Sequence, residues 1–321
     1  MPLRRRLPTP PGPPPPGSRT VRTDDGVDLH VEVDGDPDAP LTVVLTHGFT
    51  ARLGEWDVQR PALRPRARLV LWDHRGHGRS GWTRLRSATI DRTGRDLGQV
   101  LDAVAPSGPV VLAGHSMGGM SVLALARQRP ELFGDRVVGA FLLATSAGGL
   151  VGDGPVGRVV RLLRRLHLLE LWFGWLGLVA PLLERFRRRG SRLGRLYTRR
   201  YLFGSQDADL EQVRLVQDLL EETPYPVTVA FYATFLDHDE TAALPVLARV
   251  PVTVVAASDD RLTPAAHGRR LAELIGPGAR LVVVPGAGHS VNLTRPQVVD
   301  GAFGELLDRV ERTLPGQAAA G

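Results

Sequence analysis

Apolar residues in this chain gather in short unbroken runs, and between the runs they recur every three or four positions. Leu41-Thr-Val-Val-Leu-Thr46, Arg68-Leu-Val-Leu-Trp72, Pro109-Val-Val-Leu-Ala113, Val137 to Ala144, Val252 to Ala256 and Arg280 to Val284 have strand length and almost no alternation. That is the pattern of strands covered on both faces. Val27 to Val33 alternates apolar with polar and suits a half-exposed antiparallel edge strand. Thr89 to Ala105 places Ile90, Leu97, Val100, Leu101 and Val104 at helical spacing and stops before Pro106. Met120 to Gln128, Pro264 to Ile275 and Gln297 to Leu314 predict further helices. Short strands alternating with helices from Val21 onwards imply an α/β fold: a mostly parallel sheet with helices on both faces.

The rhythm breaks between 151 and 239, where the pattern is helical throughout. The expected organisation is a core over 20–150 and 240–314, a helical lid over 151–239, and disordered tails at 1–19, where prolines dominate, and at 315–321. Within the insertion, Leu166 to Leu183 is strongly apolar. At 18 residues it is marginal for a membrane span, and His167, Glu170, Gly174, Gly177 and Pro181 interrupt it. Arg158, Arg161, Arg164 and Arg165 precede it; Arg185, Arg187, Arg188, Arg189, Arg192, Arg195, Arg199 and Arg200 follow. An apolar segment carrying Trp172, Phe173 and Trp175 between arginine clusters fits two readings. One is a lid packed over the active site with solvated arginines around it; the other is a lid resting peripherally on an anionic membrane surface.

Composition narrows the functional classes. None of the 321 residues is cysteine, so disulfides, thiolate metal sites and cysteine nucleophiles are excluded. A net charge of +6 invites a nucleic-acid reading, but all 40 basic residues are arginine, which points to a compositional bias, and no nucleic-acid-binding motif accompanies them. The basic start Met1-Pro-Leu-Arg-Arg-Arg6 runs into prolines rather than an apolar core, so no signal peptide is read there and a cytoplasmic location is expected. No metal cluster, phosphate loop or dinucleotide fingerprint is present, so no cofactor is expected.

The chemistry concentrates at strand ends. Gly114-His115-Ser116-Met117-Gly118 lies between a strand and a helix, the context of a nucleophile elbow, where the turn is so sharp that only residues with little side chain fit beside the serine. A serine hydroxyl needs a base, and the base needs an orienting acid. His289 ends a strand in the glycine-rich loop Gly286-Ala-Gly288 and is the candidate base; His115 adjoins the serine but is expected to pack away from it. Asp260, in Ser258-Asp-Asp260-Arg-Leu-Thr-Pro264, is the candidate acid, with Asp259 second and suited instead to capping the turn. The oxyanion of an acyl-transfer intermediate needs N–H donors, for which Met117 and Phe49 are the candidates, with His47 bracing the loop that carries Phe49.

With these residues in view, the chain resembles the lidded α/β-hydrolases: esterases, lipases, epoxide hydrolases and cofactor-free haloperoxidases. The resemblance rests on His47-Gly48-Phe49, Asp73-His-Arg-Gly-His-Gly-Arg-Ser80, Gly114-His-Ser-Met-Gly-Gly119, Asp260-Arg-Leu-Thr-Pro264 and Gly288-His289, in the order nucleophile, acid, histidine. It implies an eight-stranded sheet with a helical lid, and a Ser116-His289-Asp260 triad. The implied activity is hydrolysis of a small-molecule carboxylic ester with an apolar acyl chain, the substrate extending to lipid. The loop from Asp73 to Ser80 is mainly structural in that family, and a serine at 116 disfavours the epoxide and haloalkane chemistries that use aspartate there. An acyltransferase or thioesterase, a perhydrolase on the same triad, and a silent ligand-binding member remain as alternatives.

Overall fold

The computed structural model describes residues 13–15, 17–82, 87–150, 155–169 and 223–314, with 171, 172, 174–176, 179, 202 and 203 from the segment between. Eight strands form one sheet: β1 (Ser18–Arg22), β2 (Asp28–Asp34), β3 (Thr42–Thr46), β4 (Arg68–Trp72), β5 (Val110–His115), β6 (Val137–Leu143), β7 (Val252–Ala257) and β8 (Ala279–Val284). Their order is β1-β2-β4-β3-β5-β6-β7-β8. β1 and β2, and β2 and β4, pair antiparallel; every other neighbour pairs parallel.

The unbroken apolar runs are explained by what each pleat face meets. In β3, Val44 points into a layer built from the helices Ile90–Val104 (α2), Met117–Gln128 (α3) and Ala265–Ile275 (α7), where Leu97, Val122 and Leu271 pack. Val43 and Leu45 point the other way, against Leu63 of α1 (Arg60–Leu63) and Phe303 and Leu307 of α9 (Pro296–Glu311). A strand between two apolar layers cannot alternate. The helix ends follow local rules as well: the Thr89 hydroxyl accepts a bond from Arg92 N–H to cap α2, and Pro296 opens α9.

Two expectations are corrected. β2 is antiparallel but not an edge strand, because β1 lies outside it, with Ser18 opposite Glu32 and Val21 opposite Leu29. β1 begins two residues inside the expected tail; of its five side chains only Val21 is buried, too little for an apolar pattern to announce a strand. The described part of the inserted region is mostly helical, with α4 (Pro155–Arg165) near its start and α5 (Tyr225–Asp237) near its end. Phe173, the arginines from Arg185 to Arg200 and both expected tails beyond Pro13 and Leu314 lie outside the described residues, as regards their side chains or altogether. Among the described residues no helix is long and apolar enough to cross a membrane.

The loop after β4 is tied to the helical layer by a buried charge. The Arg75 guanidinium donates to Asp96 at 2.6 and 2.7 Å and to Asp25 at 2.9 and 3.1 Å, and Arg75 and Asp96 are both fully buried. Removing one partner of such a pair strands the other. Arg75→Met is therefore expected to cost about 3–5 kcal/mol of stability, read from the urea midpoint at an unchanged m-value; a loss below about 1 kcal/mol would show that Asp96 is held neutral.

Candidate active site

Parallel strands deliver their C-terminal ends to one edge of the sheet, and β3 and β5 are the neighbours between which the chain reverses its winding. Such a switch point opens a crevice above the strand ends. His47 to Thr50 follow β3, Ser116 follows β5, Ala144 to Ser146 follow β6, Ser258 to Thr263 follow β7, and Gly286 to His289 follow β8. All the candidate residues therefore share one edge.

Ser116 lies at φ 50°, ψ −115°, a left-handed conformation rare for a residue with a side chain. The reason is the approach of α3 to the sheet. A Cβ on Gly118 would stand 2.2 Å from Thr46 O, and one on Gly114 would stand 2.4 Å from the backbone of Gly118 and Gly119. The strained turn is held by Ser116 N–H donating to Leu143 O at 2.9 Å and by the Thr145 hydroxyl donating to Ser116 O at 2.7 Å. Helix α3 starts at Met117, three residues before its expected start, because packing overrides the poor helix propensity of Gly118 and Gly119. Ser116 remains 9% exposed at the N-terminus of that helix.

Asp260 and His289 are brought together. His289 Nδ1–H donates to Asp260 Oδ2 at 2.8 Å, while Asp260 Oδ1 accepts from the N–H groups of Leu262 and Thr263 at 2.8 and 2.9 Å. Burial works against charge on Asp260, but His289 and these donors outweigh it and hold its carboxyl below the ordinary range. Asp259 instead accepts from the Ser258 hydroxyl at 2.8 Å, so the second-choice acid is turned aside. With Nδ1 donating, His289 Nε2 carries the lone pair. No hydrogen bond joins the Ser116 hydroxyl to that ring among the described contacts; the His115 ring, one residue from the serine, lies 4.9 Å from it between centroids.

The loop after β3 passes over the serine. A Cβ on Gly48 would stand 3.5 Å from Ser116 Cβ and 2.8 Å from His115 Nδ1, so only glycine fits. His47 Nδ1–H donates to Gly48 O at 2.7 Å, and its Nε2 accepts from His74 N–H at 2.9 Å. Gly48 O and Phe49 N–H belong to one trans peptide, so fixing the carbonyl towards His47 turns Phe49 N–H away from it. Burial, and then the neighbouring His74 and His77, keep His47 neutral; burial alone pushes His77 down to about 4.

Three residues here escaped the sequence reading or were misread. Glu55 accepts from Gly48 N–H at 2.8 Å through one carboxylate oxygen and meets His115 Nδ1 at 2.9 Å through the other. His115, expected only to pack, also bonds His289 O through Nε2 at 3.0 Å. The Thr263 hydroxyl lies 2.8 Å from both Asp260 Oδ2 and Ala144 O. A glutamate seven residues beyond a His-Gly pair is a usable signal only once the loop is known to fold back. Aromatic rings gather beside this loop: the Phe49 ring lies 6.1 Å from Phe231, 5.6 Å from Tyr232 and 5.1 Å from Phe235, all on α5. Met117 is buried with Met120, Val227 and Phe231.

Comparison with known proteins meets this geometry. A model of the alpha/beta hydrolase family matches residues 43–302. The chain belongs to that family. A relative from Caulobacter sp. strain K31 named "Putative carbamate hydrolase RutD" is 30% identical over 304 residues, 91% of this chain and 97% of that protein. "Probable oxidoreductase EphD" of Mycobacterium tuberculosis H37Rv is 29% identical over 94% of this chain, which spans about half (51%) of that protein's length. Among solved structures, a thermophilic esterase from Thermogutta terrifontis superposes with a TM-score of 0.71 at 25% identity, covering 91% of this chain and 98% of the esterase. The chain thus carries the fold of that family.

Thr263→Val keeps the shape of the side chain and removes the bonds to Asp260 and Ala144. The substitution is expected to cost about 1–3 kcal/mol, measured by urea denaturation; an unchanged midpoint would show that the hydroxyl contributes nothing.

Proposed function

We propose that the protein is a serine hydrolase that cleaves carboxylic esters with apolar acyl groups through an acyl-enzyme. The observation that carries this reading is the Asp260–His289 bond at the sheet edge from which Ser116 projects at positive φ. His289 Nε2 takes the Ser116 proton as Oγ attacks the ester carbonyl. The developing oxyanion is met by the N–H groups of Met117 and Phe49, each such donor being worth about 3 kcal/mol of barrier. His289 then gives the proton to the departing alcohol. Water, deprotonated by the same imidazole, releases the acid and restores the serine. Asp260 holds His289 in the tautomer that this cycle needs. Phe49, Phe231 and Phe235 at the crevice wall favour an apolar acyl group over a small polar one.

Ser116→Ala is expected to lower turnover of p-nitrophenyl esters, assayed from acetate to palmitate, by roughly 10⁴ or more. Near-wild-type turnover would remove the serine route. The near full-length similarity to a protein named for carbamate hydrolysis favours a second reading, in which the scissile carbonyl is a carbamate. Assaying matched ester and carbamate substrates side by side separates the two, and inactivity on both leaves acyl transfer, thioester cleavage, perhydrolysis or ligand binding.

The lid's partner is proposed to be an anionic lipid surface. Val159, Leu162 and Leu166 recur along one helical face and are 55%, 55% and 57% exposed; Leu171, Trp172 and Trp175 are also more than half exposed. Residues 155–200 hold twelve arginines and two glutamates, a net +10 against +6 for the whole chain, so the rest of the molecule is net negative. Apolar side chains flanked in sequence by one sign of charge complement anionic headgroups over acyl chains, at about 1 kcal/mol per arginine near the surface. Sedimentation with phosphatidylserine-containing vesicles is expected to exceed that with phosphatidylcholine at least about tenfold and to weaken in Leu162→Glu/Trp172→Glu. Equal partition into both vesicles, or unchanged binding of the variant, would leave a lid that only roofs the site.

A further inference from the structure

The buried pair Glu55 and His115 takes no part in the proton transfers above, yet it touches three of the segments that they require. His115 immediately precedes Ser116, and its Nε2 bonds the backbone carbonyl of His289 at 3.0 Å. Its Nδ1 bonds one oxygen of Glu55 at 2.9 Å, and the other oxygen accepts from Gly48 N–H at 2.8 Å. Glu55 is itself fixed by Asn292, whose side-chain amide donates to Glu55 O at 3.2 Å. Glu55, His115 and His289 are all buried.

The partners dictate the protons. A carbonyl oxygen only accepts, so His115 Nε2 carries a hydrogen. An ionised carboxylate also only accepts, so Nδ1 carries the second. Two states fit these distances: imidazolium with carboxylate, or neutral imidazole with protonated Glu55. The charges around the pair favour the first, because the ionised Asp260 lies close enough to stabilise a positive His115, whereas His47 is neutral and His289 is bonded to Asp260. We propose that Glu55 and His115 form an ion pair in the resting enzyme and act as positioning residues, locking the Gly48–Phe49 loop and the His289 loop to the nucleophile turn. Burial opposes the charge on each, but their mutual attraction and hydrogen bonds outweigh it, so that His115 is raised and Glu55 lowered from their ordinary values.

Two consequences follow. Gly48 N–H is occupied by Glu55 and cannot meet an oxyanion, which leaves Phe49 N–H as the donor from this loop. The lock also depends on pH. A group raised in the folded state contributes its stability below the unfolded value, near 6.5 for a histidine, and loses it as pH rises through the folded value. Above that point a neutral His115 holds only one of its two acceptors, and either the Gly48 loop or the His289 loop is released. The catalytic part of this inference rests on the ester-hydrolase reading; the protonation state does not.

Nitrogen-15 NMR of histidine-labelled protein tests the charge without any substrate. Both His115 ring nitrogens are expected to be protonated at neutral pH, with one proton lost only at alkaline pH; an unprotonated Nδ1 at neutral pH overturns the proposal. Glu55→Gln offers the amide oxygen to Gly48 N–H and an amide N–H to a neutral His115, keeping all three bonds without the charges. It is expected to fold and to show an unprotonated Nδ1. Its kcat is expected to fall by less than about tenfold, and to lack the alkaline decline that loss of the His115 proton is expected to give the wild type. Glu55→Ala leaves the loops free and is expected to lose about a hundredfold or more in kcat with KM little changed, the scale of a small misplacement of reacting groups. If Glu55→Gln keeps the wild-type alkaline limb, the pair is structural only. If the NMR result holds while Ser116→Ala stays active, the ion pair stands and the serine mechanism falls.

Discussion

The contact between the first turn of α3 and the end of β3 governs everything at the reactive edge. Thr46 pairs level with Gly114, so the turn after β5 comes up directly beside the last residue of β3, and a Cβ on Gly118 would overlap Thr46 O at 2.2 Å. Because nothing separates the two backbones, the chain reverses within one residue, and that residue is Ser116. A side-chain-bearing residue at positive φ costs on the order of 1–3 kcal/mol. The cost is offset by the burial of α3, which packs Val122, Leu123 and Leu125 into the core, and by the bonds from Ser116 N–H to Leu143 O and from Thr145 to Ser116 O.

The loops above the sheet have little secondary structure of their own, and buried charges hold them instead. Arg75 joins the loop after β4 to Asp96 of α2, Asp260 joins the loop after β7 to His289 after β8, and Glu55 joins the loop after β3 to His115 at the end of β5. Asp96 is met by the guanidinium groups of Arg75 and Arg92, while Asp260 and Glu55 each meet an imidazole and accept from backbone N–H groups as well. A buried charge left alone would be costly, so these pairs specify loop positions more sharply than apolar contacts could.

The same frame is shared with proteins whose names span carbamate hydrolysis, oxidoreduction and ester hydrolysis. A fold of this kind hosts many chemistries, so the frame by itself does not choose among them. Here Phe231, Tyr232 and Phe235 of α5 pack around Phe49. The position of the loop after β3 is thus tied to the packing of α5.

The sequence alone determined the features that depend on local pattern. Strands β3 to β7, buried on both faces, are legible as unbroken apolar runs, β4 at Arg68–Trp72 to the residue, and helices are legible from spacing and caps; β8 reads the same way but is an edge strand with only Val284 buried. The strand-end positions of the candidates Ser116, Asp260 and His289 were legible because each follows an apolar run and sits in a loop whose glycines or prolines have a steric purpose. What only the tertiary structure decided is what depends on partners distant in the chain. β1 has one buried side chain and exists because β2 offers it an edge. The choice between Asp259 and Asp260 is made by which carboxylate meets an imidazole 29 residues later, and Glu55 acquires its place only when a loop brings it to a histidine 60 residues away. Periodicity carries the burial of an element; hydrogen bonds between distant loops leave no period to read.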